Sequence, residues 1–133
     1  MISIRKYQKE DFLEVKNLIS EAFSIERKEE DVFGYYEIVA CLDDKIVGYL
    51  LLTKVLDPIV DECYFLVDYV CVKREYQNQK IGKMLMDEAE KIARENQASY
   101  MQLTCSRFRK AAHFLYEECG FVVRDSDIFR KVL

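Results

Sequence analysis

A mixed α/β fold, a mostly antiparallel sheet with helices on both faces, is predicted by three features of this 133-residue chain. The first half alternates apolar and polar residues around short acidic turns. Two later stretches repeat apolar residues at helical spacing, and the second half runs strand, helix, strand, helix, strand. Half of the residues are apolar, which suffices for one core and leaves little chain for another. Pro58 is the only proline, and no low-complexity or repeated tract marks a linker, so residues 1–133 are expected to form a single domain.

Ile2 to Lys6 alternates as a short strand, and Asp11 to Phe23 places Phe12, Val15, Leu18, Ile19 and Ala22 on one helical face. The highly charged segment Ser24 to Gly34 is expected to hold a second, short helix. Tyr36 to Leu42 and Ile46 to Val55 flank Asp43-Asp44-Lys45 as a hairpin, and a second turn at Asp57-Pro58 leads into a fourth strand, Tyr64 to Lys73. Ile81 to Asn96 carries Ile81, Met84, Leu85, Ala89, Ile92 and Ala93 on one face, the pattern of an amphipathic helix. Tyr100 to Thr104 reads as a fifth strand and Lys110 to Cys119 as a helix stopped by Gly120. Phe121 to Val132 reads as two short strands around Asp125-Ser126-Asp127.

Composition removes several classes of function. Acidic residues outnumber basic ones by 24 to 20, so there is no broad cationic surface for nucleic acid or an anionic membrane, and neither is an expected partner. Met1 to Lys6 lacks the apolar core of a secretory leader and no apolar run could span a bilayer, which points to the cytoplasm. The five cysteines, Cys41, Cys63, Cys71, Cys105 and Cys119, contain no CxxC pair and sit in or beside apolar runs. They are expected to be reduced and structural, and with His113 as the lone histidine no metal site is expected.

Chemistry concentrates where the fourth strand meets the long helix, Val70-Cys71-Val72-Lys73-Arg74-Glu75-Tyr76-Gln77-Asn78-Gln79-Lys80-Ile81-Gly82-Lys83. A polar loop opening a helix aims unpaired backbone N–H groups and the positive end of the helix dipole at one spot, which favours an anion. Gly82 offers close approach, and Lys80 and Lys83 add positive charge. The alternative is an ordinary strand-to-helix connection with exposed lysines. A P-loop is excluded, because Met84 follows Gly82-Lys83 and Gln77 stands where its first glycine belongs; a GxGxxG is absent as well.

Gln77-Asn78-Gln79-Lys80-Ile81-Gly82 resembles the acetyl-coenzyme A loop of the GNAT (general-control-type) N-acetyltransferase superfamily, whose pattern is Gln or Arg, two residues, Gly, one residue, then Gly or Ala. Gln77 and Gly82 match; Lys80 occupies the middle glycine position. A second match, Ala111 to Phe121, is similar to the family's helix ending in Phe-Tyr-Glu-Lys-x-Gly-Phe. The asparagine many members carry just before that helix is replaced by Arg109 and Lys110. The resemblance extends over nearly the whole chain. It implies a sheet splayed between its fourth and fifth strands, with the pantetheine arm on Val70, Cys71 and Val72 and the pyrophosphate on N–H groups of Gln77, Asn78, Gln79, Lys80, Ile81, Gly82 and Lys83. It further implies Tyr116 beside the thioester sulfur as general acid, and no metal in the reaction. A homodimer is also in keeping with it, although the sequence specifies no interface.

Acetyl transfer to an alkylamine needs the neutral amine, and with a pKa of about 10.4 its deprotonation at pH 7 costs roughly 4 to 5 kcal/mol. A carboxylate is therefore wanted nearby. Asp68 is the first candidate, since strict alternation puts residues 68, 70 and 72 on one strand face, and Val67-Asp68-Tyr69 resembles the Ile-Glu-Asp of glucosamine-phosphate-type members. Asp68 as a solvated sheet carboxylate and Tyr116 as a core tyrosine are the competing readings. His113, one turn before Tyr116, reads as packed or exposed rather than substrate-binding, and Cys71 has no partner base for a covalent route. Ala112 to Tyr116 and the tail Phe129-Arg130-Lys131-Val132-Leu133 are similar to small-amine acetylators of the aminoalkylphosphonate type, which implies a small primary amine as acceptor. The charged stretch Glu26 to Asp31 is expected to border its groove or to form a solvated helix face. An acyl-CoA-binding regulatory module without turnover is the alternative function, kept open by Lys80, and an interaction module that retains only the fold is a weaker third.

Overall fold

The computed structural model describes residues 1–133. Five strands occupy one sheet in chain order: β1 (Ile2–Lys6), β2 (Tyr35–Leu42), β3 (Lys45–Asp57), β4 (Glu62–Val72) and β5 (Met101–Gln102). The first four pair antiparallel, and β5 joins β4 in parallel. The β2–β3 reversal is written in Asp43 and Asp44, whose φ angles of 48° and 68° are the paired left-handed residues of a tight hairpin turn that short polar side chains tolerate. At the β3–β4 turn Asp57 Oδ1 accepts the Ile59 N–H at 3.0 Å, and Pro58 lies where no ladder donor is required.

Three helices complete the chain, α1 (Phe12–Phe23), α2 (Ile81–Glu95) and α3 (Lys110–Glu118). α1 lays Val15, Leu18 and Ile19 against Val39, Cys41 and Tyr49 on one sheet face. On the other face α2 lays Ile81, Leu85 and Ala89 against Ala40, Leu50 and Phe65. Each fully buried large side chain contributes about 1.5–3 kcal/mol, so the two faces together dominate stability. None of these helices is long and apolar enough to cross a membrane.

Gly48, near the start of β3, shows how closely α2 approaches. A Cβ there would stand 3.0 Å from Leu85 Cδ1, 3.2 Å from Ala40 Cβ and 3.2 Å from Ile81 Cγ2. Gly48→Ala is therefore expected to destabilise the fold by about 1–3 kcal/mol through overpacking, read as a lower urea midpoint at unchanged slope.

Two expectations fail. Residues 24–34 form no helix. Ser24 ends α1 in the left-handed region (φ 56°), and Arg27 then turns inward rather than out to water. Its guanidinium donates to the Glu37 carboxylate on β2 and to the Glu29 and Glu30 carbonyls, and it lies 4.5 Å above the Tyr7 ring. Tyr49 donates its hydroxyl to the same carboxylate, and burial together with that bond pushes the phenol well above its usual range. Tyr7 donates to the Glu30 carbonyl at 2.7 Å. The segment is a loop fastened to the α1 face by a buried ion pair. Nor do residues 121–133 form strands, because a strand needs a partner ladder and β5 offers only two residues.

Candidate active site

The opening comes from an interrupted pairing. β4 meets β5 only at Phe65–Met101 and Leu66–Gln102, while β4 runs on to Val72. From Val67 onward its outer edge has no strand neighbour, and the sheet splays there as the sequence resemblance implies.

Within the same stretch β4 carries an extra residue. Leu51 pairs with Asp68 and Tyr49 with Cys71, so Leu50 alone faces Tyr69 and Val70. Tyr69 takes φ 55° to make the bulge, a left-handed geometry that costs a bulky residue about 1–3 kcal/mol. Phe23 of α1 packs edge-on against its ring, with centroids 5.5 Å apart. The insertion inverts the facing of β4. Phe65 and Val67 face α2 before it, as do Val70 and Val72 after it, while Asp68 and Cys71 face α1. The sequence reading that put Asp68 on one face with Val70 and Val72 is corrected accordingly.

Past Val72 the chain makes a 3-10 turn, and Gln77 donates from Nε2 to the Val72 carbonyl at 3.2 Å, tying the loop back to its strand. Asn78 and Lys80 both adopt left-handed backbone (φ 66° and 62°), and no side chain caps α2. Within α2 the first N–H to find a backbone acceptor is that of Met84, on the Lys80 carbonyl at 3.0 Å, while the Gln77 N–H before it donates to the Arg74 carbonyl. The N–H groups of Ile81, Gly82 and Lys83 have no backbone acceptor. Val70, Cys71, Val72, Gln77, Asn78, Lys80, Ile81, Gly82, Lys83 and Tyr116 all line one cleft of about 570 Å³. Gln79 and Asp68 lie outside it.

The sequence matches the acetyltransferase (GNAT) family over residues 2–121. This chain belongs to that family. No curated protein matches it in sequence. Solved GNAT-like structures agree over nearly full length. A putative acetyltransferase from Agrobacterium tumefaciens str. C58 is similar, with TM-score 0.87, 19% identity and coverage of 98% of this chain and 99% of that one. Ribosomal-protein-alanine N-acetyltransferase from Brucella melitensis biovar Abortus 2308 gives 0.84 at 18% identity, with 99% of each chain covered. An aminoglycoside acetyltransferase from an uncultured soil metagenomic sample, in complex with sisomicin, gives 0.87 at 17% identity, with 99% and 96% covered. At these identities the agreement concerns the GNAT fold.

In this GNAT chain, burial first and the neighbouring Cys105 next raise the Tyr116 phenol above its usual range, with Arg109 opposing. Its ring packs on Phe121 at 6.2 Å. Burial also pushes the Cys71 thiol up to about 12, so it stays a thiol at neutral pH. His113 places Nε2 2.9 Å from the Ser106 carbonyl and faces a second groove, away from the cleft. Gly82 has a packing role the sequence did not show: a Cβ there would sit 3.0 Å from Leu115 Cδ2, so the missing side chain lets α3 close on α2.

Sequence reasoning missed Glu21, Arg74 and Arg109, all of which line the cleft. Glu21 had a signal, since it follows Leu18 by three positions and so shares a helical face with it. Lys83 is bonded to Asp87 at 3.1 Å, whereas Arg74, Lys80 and Arg109 have no carboxylate partner. Left-handed backbone costs Lys80 about 1–2 kcal/mol, and glycine would return about 0.5–1 of that as unfolded-state entropy. Lys80→Gly is thus expected to stabilise the GNAT fold by about 0.5–1 kcal/mol, measured by urea unfolding; a loss of stability would mean the ammonium makes a compensating contact.

Proposed function

We propose that this chain is an N-acetyltransferase that moves acetyl from acetyl-coenzyme A directly to the primary amine of a small molecule. One observation carries the reading: the unpaired edge of β4, the donor amides opening α2 and Tyr116 line one cleft, with Tyr116 standing where that cleft meets the groove beside β5. Val70, Cys71 and Val72 would offer strand backbone to the pantetheine arm. Residues Gln77 to Lys83 would hold the pyrophosphate, with Lys80 supplying charge where the family pattern has glycine.

In the reaction the amine nitrogen bonds to the thioester carbonyl carbon, the carbon–sulfur bond breaks, and the amine loses a proton. Tyr116, kept protonated by its surroundings, gives its phenolic proton to the departing thiolate. Asp68 takes the amine proton through a water, approaching from the α1 side of the bulge. Cys71, held as a thiol, has no part in a covalent relay. On this reading Asp68→Asn should lower kcat/KM by about 10–100-fold and move the rising limb of the pH profile toward the amine's own pKa. An unchanged profile would transfer the role to water or to Glu21.

A small acceptor is supported by the likeness of Ala112 to Tyr116 and of the tail to small-amine acetylators. The second reading, an acyl-CoA-binding regulatory module, draws on Lys80 in the glycine position. Isothermal titration with acetyl-coenzyme A, paired with thiol release over amino sugars, polyamines, amino acids and aminophosphonates, separates the two. Binding with amine-dependent release supports the transferase, binding without release the module, and absence of binding refutes both.

A further inference from the structure

The cleft is walled by two helix ends of opposite sign. Where α2 opens, the N–H groups of Ile81, Gly82 and Lys83 have no backbone acceptor, and Lys80 and Lys83 stand beside them. Where α1 closes, the polarity is reversed. Glu21, Ala22 and Phe23, the last three residues of α1, all line the cleft. The final carbonyl of this helix to be paired is that of Ser20, which accepts the Ser24 N–H at 2.9 Å, and the carbonyls of Glu21, Ala22 and Phe23 accept nothing from backbone or side chain. The Glu21 carboxylate is free as well, since every ion pair of the chain joins other groups. No basic residue stands in the last turn of α1, so the negative end of the helix dipole carries a carboxylate where a lysine or arginine would offset it.

This end of α1 looks onto the reacting part of the cleft. The Glu21 charge raises the Cys71 thiol, and Arg109 opposes it. Asp68, to which the amine proton is assigned above, also faces α1. An acceptor approaching from that side therefore passes Glu21. The nitrogen that attacks must be neutral and gains little from a carboxylate, whereas a primary ammonium that keeps its proton has three N–H donors to place. Glu21 and the unpaired carbonyls beside it offer oxygens for all of them. Phe23, edge-on to Tyr69 with centroids 5.5 Å apart, adds an aromatic wall that favours a cation over an anion.

We propose that the end of α1, through the Glu21 carboxylate and the free carbonyls beside it, holds a second, non-reacting ammonium group, so that the acceptor is a diamine or polyamine. The class of acceptor rests on the acetyl-transfer reading, while the ammonium site itself needs no turnover to be seen. The same negative end turns away an acceptor whose far group is a carboxylate or phosphonate.

Isothermal titration of the protein saturated with coenzyme A, which has no acetyl group to transfer, tests the site. The probes are unbranched diamines from diaminopropane to cadaverine, each beside the monoamine and the amino acid of the same chain length. At the best-fitting length the diamine should bind about tenfold tighter than the monoamine, with the amino acid weakest. Glu21→Gln should abolish the preference, and Glu21→Lys should make the amino acid the tightest of the three. Where circular dichroism shows that one variant has lost its fold, the other decides. Equal binding of diamine and monoamine at every length overturns the proposal, as does a preference that survives both substitutions. An amino acid binding tightest to the unsubstituted chain overturns it too, by giving acceptor recognition to Arg109. Thiol release with acetyl-coenzyme A then separates the two readings. A Glu21-dependent preference without release upholds the ammonium site and refutes the transferase, and release with no diamine preference upholds the transferase and overturns the site.

Discussion

Tyr116→Phe is expected to lower kcat by about 100-fold while changing the dissociation constant for acetyl-coenzyme A by less than about twofold. The substitution removes one oxygen from a ring that stays packed against Phe121, so the cleft keeps its shape and only the proton is lost. General acid catalysis is worth about 10²–10⁴ in rate, and a leaving thiolate needs less help than an alkoxide would, which sets the lower end. The direction of the Tyr116 shift adds a second signature. Burial raises the phenol, so the acid stays protonated through neutral and mildly alkaline pH, and its activity should fall only above the usual tyrosine range of about 10. The phenylalanine variant should lack that descending limb. Equal activity in the two proteins would take Tyr116 out of the mechanism and leave solvent as the proton donor.

Arg27→Ala is expected to cost about 3–5 kcal/mol of stability, the largest effect of any single substitution outside the apolar core. The Arg27 and Glu37 side chains are 8% and 7% exposed, and removing the guanidinium leaves the Glu37 carboxylate buried with only the Tyr49 hydroxyl as donor. Breaking a buried pair from one side carries that penalty because the remaining charge is uncompensated. The double variant Arg27→Ala with Glu37→Gln should recover much of the loss, since neither side then holds a charge, and the difference from additivity measures the coupling. Urea unfolding of the four proteins in that cycle is the measurement. A loss under about 1 kcal/mol for Arg27→Ala would show that water reaches Glu37 once the loop is released.

The helices and the β2–β3 hairpin were legible because their signals are local. Asp43-Asp44 announces its turn, and the apolar spacing of Ile81 to Ala93 can only lie on one helical face. The Gln77 to Lys83 loop was legible for the same reason, being a run of neighbours at one strand-to-helix junction. Arg27 was not, since its burial depends on Glu37 and Tyr49, which reach it only after β2 and β3 have paired. In sequence, Glu26 to Asp31 looks like any solvated charged face. The bulge escaped because tyrosine is a common strand residue and gives no warning of a positive φ, so alternation was carried through Tyr69 and put Asp68 on the wrong side. Arg109 joins the cleft only through the docking of α3, a tertiary event with no local trace, whereas Arg74 lies in the same strand-to-helix junction and was passed over for the residues nearer α2. The tail has the composition of a strand, but composition cannot supply the partner.

The inserted Tyr69 makes β4 behave like two messages read in different frames. Substituting any one residue there alters one contact. Deleting Tyr69 would remove the bulge and leave Val70 and Val72 facing α2 and Cys71 facing α1, whereas regular pairing with Tyr69 retained would turn over everything downstream of it. The downstream facing therefore depends on the pairs Leu51–Asp68 and Tyr49–Cys71, and what Tyr69 adds between them is the kink itself.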